Sequence, residues 1–441
     1  MRTESIITPS PLIGRGGGAR PTRVRFTILA VLAVGTMINY LDRTVLGIAA
    51  PTMSKDLAIG AAVMGFVFSA FSWTYTAAQI PGGILLDRIG NKLTYFLALT
   101  FWSLFTLLQA FATGLWMLLT FRFGLGVSEA PCFPTNSRVV AVWFPQNERA
   151  RATSVYTVGE YLGLACFSPA LFWIMATFSW HALFITVGVL GILFAFVWWK
   201  VYKEPHESKT VNAAELDYIA AGGGLNAPEK GTADVFNWAQ VRKLLSFRQV
   251  WGAALGQFAG NTTLVFFLTW FPTYLVTERH MTFIKVGFFA ILPFLAAAIG
   301  VMFGGWLSDV LLKRTGSANI ARKTPIIVGL LGACTIIGAN YVSNNVLVIA
   351  VMSVAFFGQG MVGLGWTLIS DIAPNKLAGL TGGVFNFFTN TSGIITPIAI
   401  GLIIAKTGSF FYAIAYVALM AFIGVLSYIF LLGDVRRLQV D

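Results

Sequence analysis

From residue 26 onward the chain is dominated by apolar runs of about twenty residues, separated by short polar stretches. A helix needs about 20 apolar residues to cross the hydrocarbon core of a bilayer. Twelve runs meet that length: 26–50, 60–82, 93–112, 115–137, 152–176, 180–200, 250–275, 285–311, 324–341, 346–370, 378–405 and 409–432. The pattern predicts an all-α membrane protein. The first run follows a polar tail, residues 1–25, which carries "IGRGGGARPTRVR". Further spans follow that run, so it reads as a first transmembrane helix and not as a cleaved signal peptide.

One long polar connection interrupts the series, residues 201–249, with "KEPHESK" and the turn-rich "GGGLNAPEKGT". It predicts a linker between a bundle at 26–200 and a second at 250–432, with a short tail at 433–441. The basic residues give an orientation. With the N-terminus in the cytoplasm, 24 of the 30 lysines and arginines fall on that side, 4 on the other and 2 within spans. Loops rich in Lys and Arg stay cytoplasmic, so both termini are expected there.

Composition agrees with lipid as the solvent. Charged residues are 11% of the chain against 56% hydrophobic, and the mean hydropathy is +0.75. Soluble domains carry roughly 25% charge. The net charge of +12 is thereby a topology signal and not a nucleic-acid footprint. Cys132, Cys166 and Cys334 lie apart in apolar runs, without the spacing of a disulfide framework or a zinc site. His181, His206 and His280 fall in loops or at span ends. The sequence contains no pairing of nucleophile with base, no metal-ligand cluster and no phosphate-binding glycine loop with lysine. An enzyme is not expected, nor a metal or organic cofactor.

The two sets of six repeat one another. "GGILLDRIGNK" (82–92) and "GGWLSDVLLKR" (304–314) share Gly-Gly-x-Leu-x-Asp and lie on the same side. "WFPQNERARATSVYTVGEYLGLACFSP" (143–169) aligns with "DIAPNKLAGLTGGVFNFFTNTSGIITP" (371–397), pairing Pro145 with Pro374 and Pro169 with Pro397 at nearly one offset. Parallel six-helix repeats around a central linker resemble the major facilitator fold. "GGILLDRIGNK" is similar to the loop signature between the second and third spans of that superfamily. Gly83 would let helices approach there. Asp87 and Arg88 could bridge the inward ends, and Asp309 holds the matching place in the second half.

Away from the span ends, five ionisable residues lie within the spans, all in the first half: Asp42, Arg43, Arg122, Glu129 and Glu160. Each charge costs at least ~2.5–3.5 kcal/mol to insert. An ion pair is a poor stabiliser in an apolar interior, so function is the better explanation. Arg122 and Glu129 are two turns apart and share a helical face. An arginine fork in a membrane cavity suits a carboxylate. A nearby acid that takes up a proton would release the arginine for that anion, so Asp42, Glu129 and Glu160 are candidate proton carriers. Two buried arginines argue against a cation exporter.

More narrowly, "INYLDRTVLGIAAPTM", "FSAFSWTYTAAQIPGGILLDRIG", "RFGLGVSEAPCFP", "FFLTWFPTYLV" and "GLTGGVFNFFTNTSGIITPIAIGLI" resemble the anion:cation symporter family, and within it the bacterial sugar-acid permeases. The resemblance implies a proton-coupled importer of a small organic anion, an aldonate, aldarate or hexuronate, in the bacterial inner membrane. Another carboxylate, such as an aromatic acid, is the alternative on the same scaffold. It implies proton carriage at Asp42 and Glu129, substrate binding and coupling at Arg43 and Arg122, and substrate contacts at Tyr40, Tyr75, Gln257, Trp366 and Asn386. It implies a monomer with protons as the coupling ion. At Glu160 the chain departs from the family, where the resemblance implies an amide.

Overall fold

A computed structural model of the chain describes residues 20–225, 238–374 and 377–439. Most of the N-terminal tail and linker residues 226–237, which include much of "GGGLNAPEKGT", lie outside the described residues. The helices are α1 (Val24–Asp56), α2 (Ala61–Gln109), α3 (Leu115–Glu129), α4 (Cys132–Trp143), α5 (Gln146–Thr177), α6 (Trp180–Val201), α7 (Ala213–Ala221), α8 (Trp238–Leu245), α9 (Arg248–Thr269), α10 (Phe271–Thr273), α11 (Phe283–Thr315), α12 (Ala318–Cys334), α13 (Asn345–Val362), α14 (Gly365–Ile372), α15 (Ala378–Thr407) and α16 (Phe411–Leu426). No strand occurs among the described residues. Helices satisfy their own backbone groups, which is the condition for living in lipid.

Nine helical stretches are long and apolar enough to span a membrane among the described residues. They are consistent with the twelve expected runs, given three local features. Helix α2 contains two runs joined at Gly90, whose φ of +80° and ψ of 173° are open to glycine and bend the helix. The fourth run is divided into α3 and α4 just before Pro131, which has no N–H to continue the ladder. The seventh continues from α9 through α10 into a π-turn at 274–278, and carries Gln257, Asn261, Thr262 and Thr263 along its middle.

The two sets of helices meet where α2 lies against α15 and α5 against α11. There Gly65 of α2 backs onto Gly401 and Pro397 of α15, so closely that a Cβ on Gly65 would lie 2.4 Å from the Pro397 carbonyl oxygen. Rings close the same end. Phe68 meets Trp270 edge to face at 5.1 Å, Tyr161 meets Phe356 at 5.7 Å, and Phe172 lies 6.4 Å from Phe283. No hydrogen bond or ion pair crosses between the sets at this end among the described residues. Shape and dispersion alone hold it, a contact that can slide or part without stranding polar groups. At the other end, where α1 begins and α16 ends, Ile80 and Ile84 of α2 and Phe387 of α15 are exposed, and open space surrounds Gly83 and Gly382.

The linker is fastened to the first set. Glu215 of α7 is fully buried and accepts hydrogen bonds from Thr22 Oγ1 (2.6 Å), the Val24 amide (3.1 Å) and Arg25 Nη1 (2.9 Å). A carboxylate at the start of α1 satisfies orphan amides and complements the helix dipole. Asn212 caps α7 by accepting from the Glu215 amide.

Candidate functional site

Two helices of the first set supply the central charges. Arg43 projects from α1, with Arg122 and Glu129 from α3. Arg43 Nε donates to Glu129 Oε1 at 2.6 Å, and its Nη2 closes the ion pair on the same oxygen. Glu129 is fully buried, and its Oε2 has no partner. Four rings surround the Arg43 guanidinium: Tyr75 at 4.9 Å, Phe71 at 5.0 Å, Tyr40 at 5.1 Å and Phe133 at 5.8 Å. The ring faces favour a cation where water is scarce.

Arg122 is differently placed. It is 3% exposed, and its Nη2 donates a long 3.4 Å bond to the Phe68 carbonyl. Its Nε and Nη1 have no partner. Arg122 and Glu129 share a helix face as the spacing predicts, yet Glu129 takes Arg43 as its partner, because α1 packs its arginine across the break that ends α3. Arg122 is left as a buried cation with two free donors. Leaving a charge so is expensive, and the N–H groups are available to an anion.

Asp42 and Arg43 are neighbours in sequence but not in role. Successive residues on a helix are about 100° apart. Arg43 turns to α3, whereas Asp42 turns to the 91–109 arm of α2, where Trp102 Nε1 donates to its Oδ2 at 2.9 Å. Asp42 is fully buried and pairs with no arginine. Glu160, on α5, is 6% exposed and stands beside the Tyr40 phenol. Tyr40 thus lies between Arg43 and Glu160. Tyr75 is buried and stacks on Phe71 at 5.2 Å.

The second-set candidates form their own group. Gln257 of α9 presses its Oε1 against Gly365, next to Trp366, which is half exposed. Trp366 meets Phe385 edge to face at 5.0 Å. Asn386 follows Phe385, and its Oδ1 accepts from Asn390 Nδ2 at 2.8 Å. No side-chain hydrogen bond joins this group to the first-set charges among the described residues.

At the open end Asp87 accepts from Arg138 Nη1 of α4 at 2.9 Å, while Arg88 is exposed. The repeat does not carry this pair over. Asp309 is exposed and has no ion pair among the described residues; the second set uses Arg322 of α12, which bonds Asp371 at 2.8 Å and Ser308 at 2.8 Å. Sequence reading missed Arg138, Arg322, Asp371 and Trp102. The aspartate at 371 directly precedes the proline motif shared by both halves, which was the available signal. Nothing in the local sequence marks Trp102, since its role depends on α2 bending back along α1.

No group of three or more His, Cys, Asp or Glu suited to a metal occurs among the described residues.

Comparison with known proteins places this arrangement. The family model described as "Major Facilitator Superfamily" matches residues 32–397. The chain is 47% identical over 422 residues to a D-galactonate transporter of Escherichia coli O6:H1 (strain CFT073), covering 95% of this chain and 98% of that one. It is 45% identical over 430 residues to a protein of Escherichia coli (strain K12) named "Probable galactarate/D-glucarate transporter", covering 95% and 96%. Among solved structures it resembles a bacterial homolog of the human lysosomal transporter Spinster, in an inward-facing and unoccupied conformation. The TM-score is 0.72 at 18% identity, covering 93% of this chain and 97% of that one. Repeats, helices and relatives lead to one conclusion: the chain is a multi-pass membrane protein belonging to the major facilitator superfamily, a family of transporters and not of enzymes.

Proposed function

We propose that this protein is a proton-coupled symporter that imports a sugar acid by alternating access. The observation that carries the reading is Arg122, a buried guanidinium with two unpartnered nitrogens beside the Arg43–Glu129 pair. Each free N–H group can donate a charge-assisted hydrogen bond to an oxygen of an anionic substrate. The names of the relatives, galactonate and galactarate/glucarate transporters, suggest an aldonate or aldarate, with a hexuronate in the same class.

The cycle follows from charge balance. When Glu129 takes a proton, its hold on Arg43 weakens. Arg43 and Arg122 then offer an anion two guanidinium groups, while Tyr40, Tyr75, Gln257, Trp366 and Asn386 offer hydroxyl partners and a stacking ring. Loss of the proton on the other side restores the Arg43–Glu129 pair, which competes with the anion and expels it. Glu160 adds a third acid that either carries a further proton or donates a hydrogen bond when neutral.

With both termini in the cytoplasm of a bacterial inner membrane, the open end faces inward and the Gly65–Gly401 contact seals the outer side. Gly83, Asp87, Arg88 and Asp309 act at the inner end as gating residues, and the protein works as a monomer. Rocking the two helix sets about the apolar contact exposes the site alternately.

The test is accumulation of labelled galactonate, galactarate and glucuronate in membrane vesicles, with and without an imposed pH gradient. Accumulation that needs the gradient supports the reading. The rings around Arg43 favour an aromatic acid as the second candidate, so benzoate is included as a competitor. Strong competition by benzoate with no sugar-acid uptake would replace the substrate assignment.

A further inference from the structure

Asp42 is the intramembrane acid that an indole N–H holds. Its Oδ2 is bonded by the Trp102 indole, its Oδ1 has no partner, and no arginine pairs with it. The groups that face it are Trp102 and Thr106 on the 91–109 arm of α2, with Glu129 and Arg122 from α3. The Thr106 hydroxyl lies beside the carboxylate without completing a hydrogen bond. Trp102, Thr106 and Asp42 are all fully buried.

Trp102 cannot easily turn away. Its ring meets Tyr95 edge to face at 6.0 Å and 82°, and Tyr95 lies 4.3 Å from Trp198. The N–H is therefore a fixed donor. Indole only donates, and a donor stabilises the ionised carboxylate more than the neutral acid.

We infer that Trp102, with Thr106, is a positioning residue that sets the proton affinity of Asp42. This rests on the proton-coupled reading above. The proton enters at Oδ1, the oxygen without a partner. The effect reaches the anion site through α1, because the next residue is Arg43.

The experiment is the pH profile of galactonate uptake in vesicles for the parent, Trp102→Phe, Thr106→Val and Trp198→Phe. Proton movement on adding galactonate is recorded in parallel. Trp102→Phe keeps an aromatic ring and loses only the donor. Without it Asp42 holds its proton to higher pH, so the falling limb of uptake moves to the alkaline side by about one pH unit. Gradient-driven accumulation falls more than galactonate counterflow, because proton release on the inner side is hindered. Thr106→Val moves the limb the same way by less, and serves alone if Trp102→Phe does not reach the membrane. Trp198→Phe tests a merely structural effect: it removes an equally buried indole donor, one that bonds the Lys92 carbonyl at 3.1 Å, and leaves the limb where it is. A parent that moves protons while Trp102→Phe and Thr106→Val keep the parental profile overturns the inference alone. An acid shift overturns it as well. A parent that moves galactonate but no protons removes the symport reading, and the inference with it.

Discussion

Arg43 on α1 and Glu129 on α3, 86 residues apart, meet in a hydrogen-bonded ion pair with Nε to Oε1 at 2.6 Å. The pair closes on one carboxylate oxygen and leaves the other free. Glu129 is fully buried, so the pair has no solvent to fall back on. Replacing one partner leaves the other as a buried unpaired ion, which is the costly outcome. The same dependence makes the pair a switch, because a proton on Glu129 does what a mutation would do, reversibly.

Arg122 supplies the first prediction. Arg122→Ala removes two charge-assisted bonds to the anion, together worth about 3 kcal/mol, or roughly 100-fold in affinity. Arg122→Lys recovers little of it, since an ammonium lacks the planar set of donors. Equilibrium binding of galactonate to purified protein reads the loss. Parental affinity in a folded Arg122→Ala protein would remove Arg122 from the anion site.

Glu129→Gln fixes the pair in its protonated form. The variant binds galactonate at least as well as the parent and exchanges it in counterflow. It loses gradient-driven accumulation, since no proton travels with the anion. Parental uptake falls as the outer pH rises, whereas exchange by Glu129→Gln is flatter over the same range. Accumulation by this variant equal to the parent's would transfer the coupling role to Glu160.

Asp87→Asn breaks the bond to Arg138 at the open end, far from Arg43 and Arg122 in the fold. The side chain of Asp87 is 70% exposed, so the pair contributes little to stability. Its effect is on the balance between conformations. Galactonate affinity stays within about twofold while turnover falls several-fold, as expected where a contact exists in one state only. A large loss of affinity with unchanged turnover would contradict this.

Glu215→Ala opens the junction between the linker and α1. It leaves Arg25 with Glu148 (3.1 Å) as its remaining acidic partner and strands the amides at the start of that helix, at a cost of ~1–3 kcal/mol, the range for buried donors left unsatisfied. The thermal midpoint in detergent drops by several degrees, while galactonate affinity per folded molecule is unchanged, because the junction is remote from the anion site. A variant as stable as the parent would show the linker to be loosely attached.

The sequence by itself determined the solvent, the all-helical membrane fold, the repeat and the charged residues that lipid would not tolerate without a use. These follow from composition and period, since about 20 apolar residues cross a bilayer whatever surrounds them. It also located Arg122 and Glu129 on one face, because helical spacing is local geometry. Tertiary structure alone decided the partners. Adjacent residues diverge by about 100° on a helix, so Asp42 and Arg43 part company, one to Trp102 and one to Glu129. The repeat predicted matching ends, yet Asp87 found Arg138 and Asp309 found no ion pair among the described residues, because the basic residue in the second set stands on α12 and reaches Asp371. Which end of the molecule is open depends on contacts such as Gly65 against Gly401, 336 residues away in the chain. Such contacts differ between conformations of one sequence, so no reading of the letters alone could choose between them.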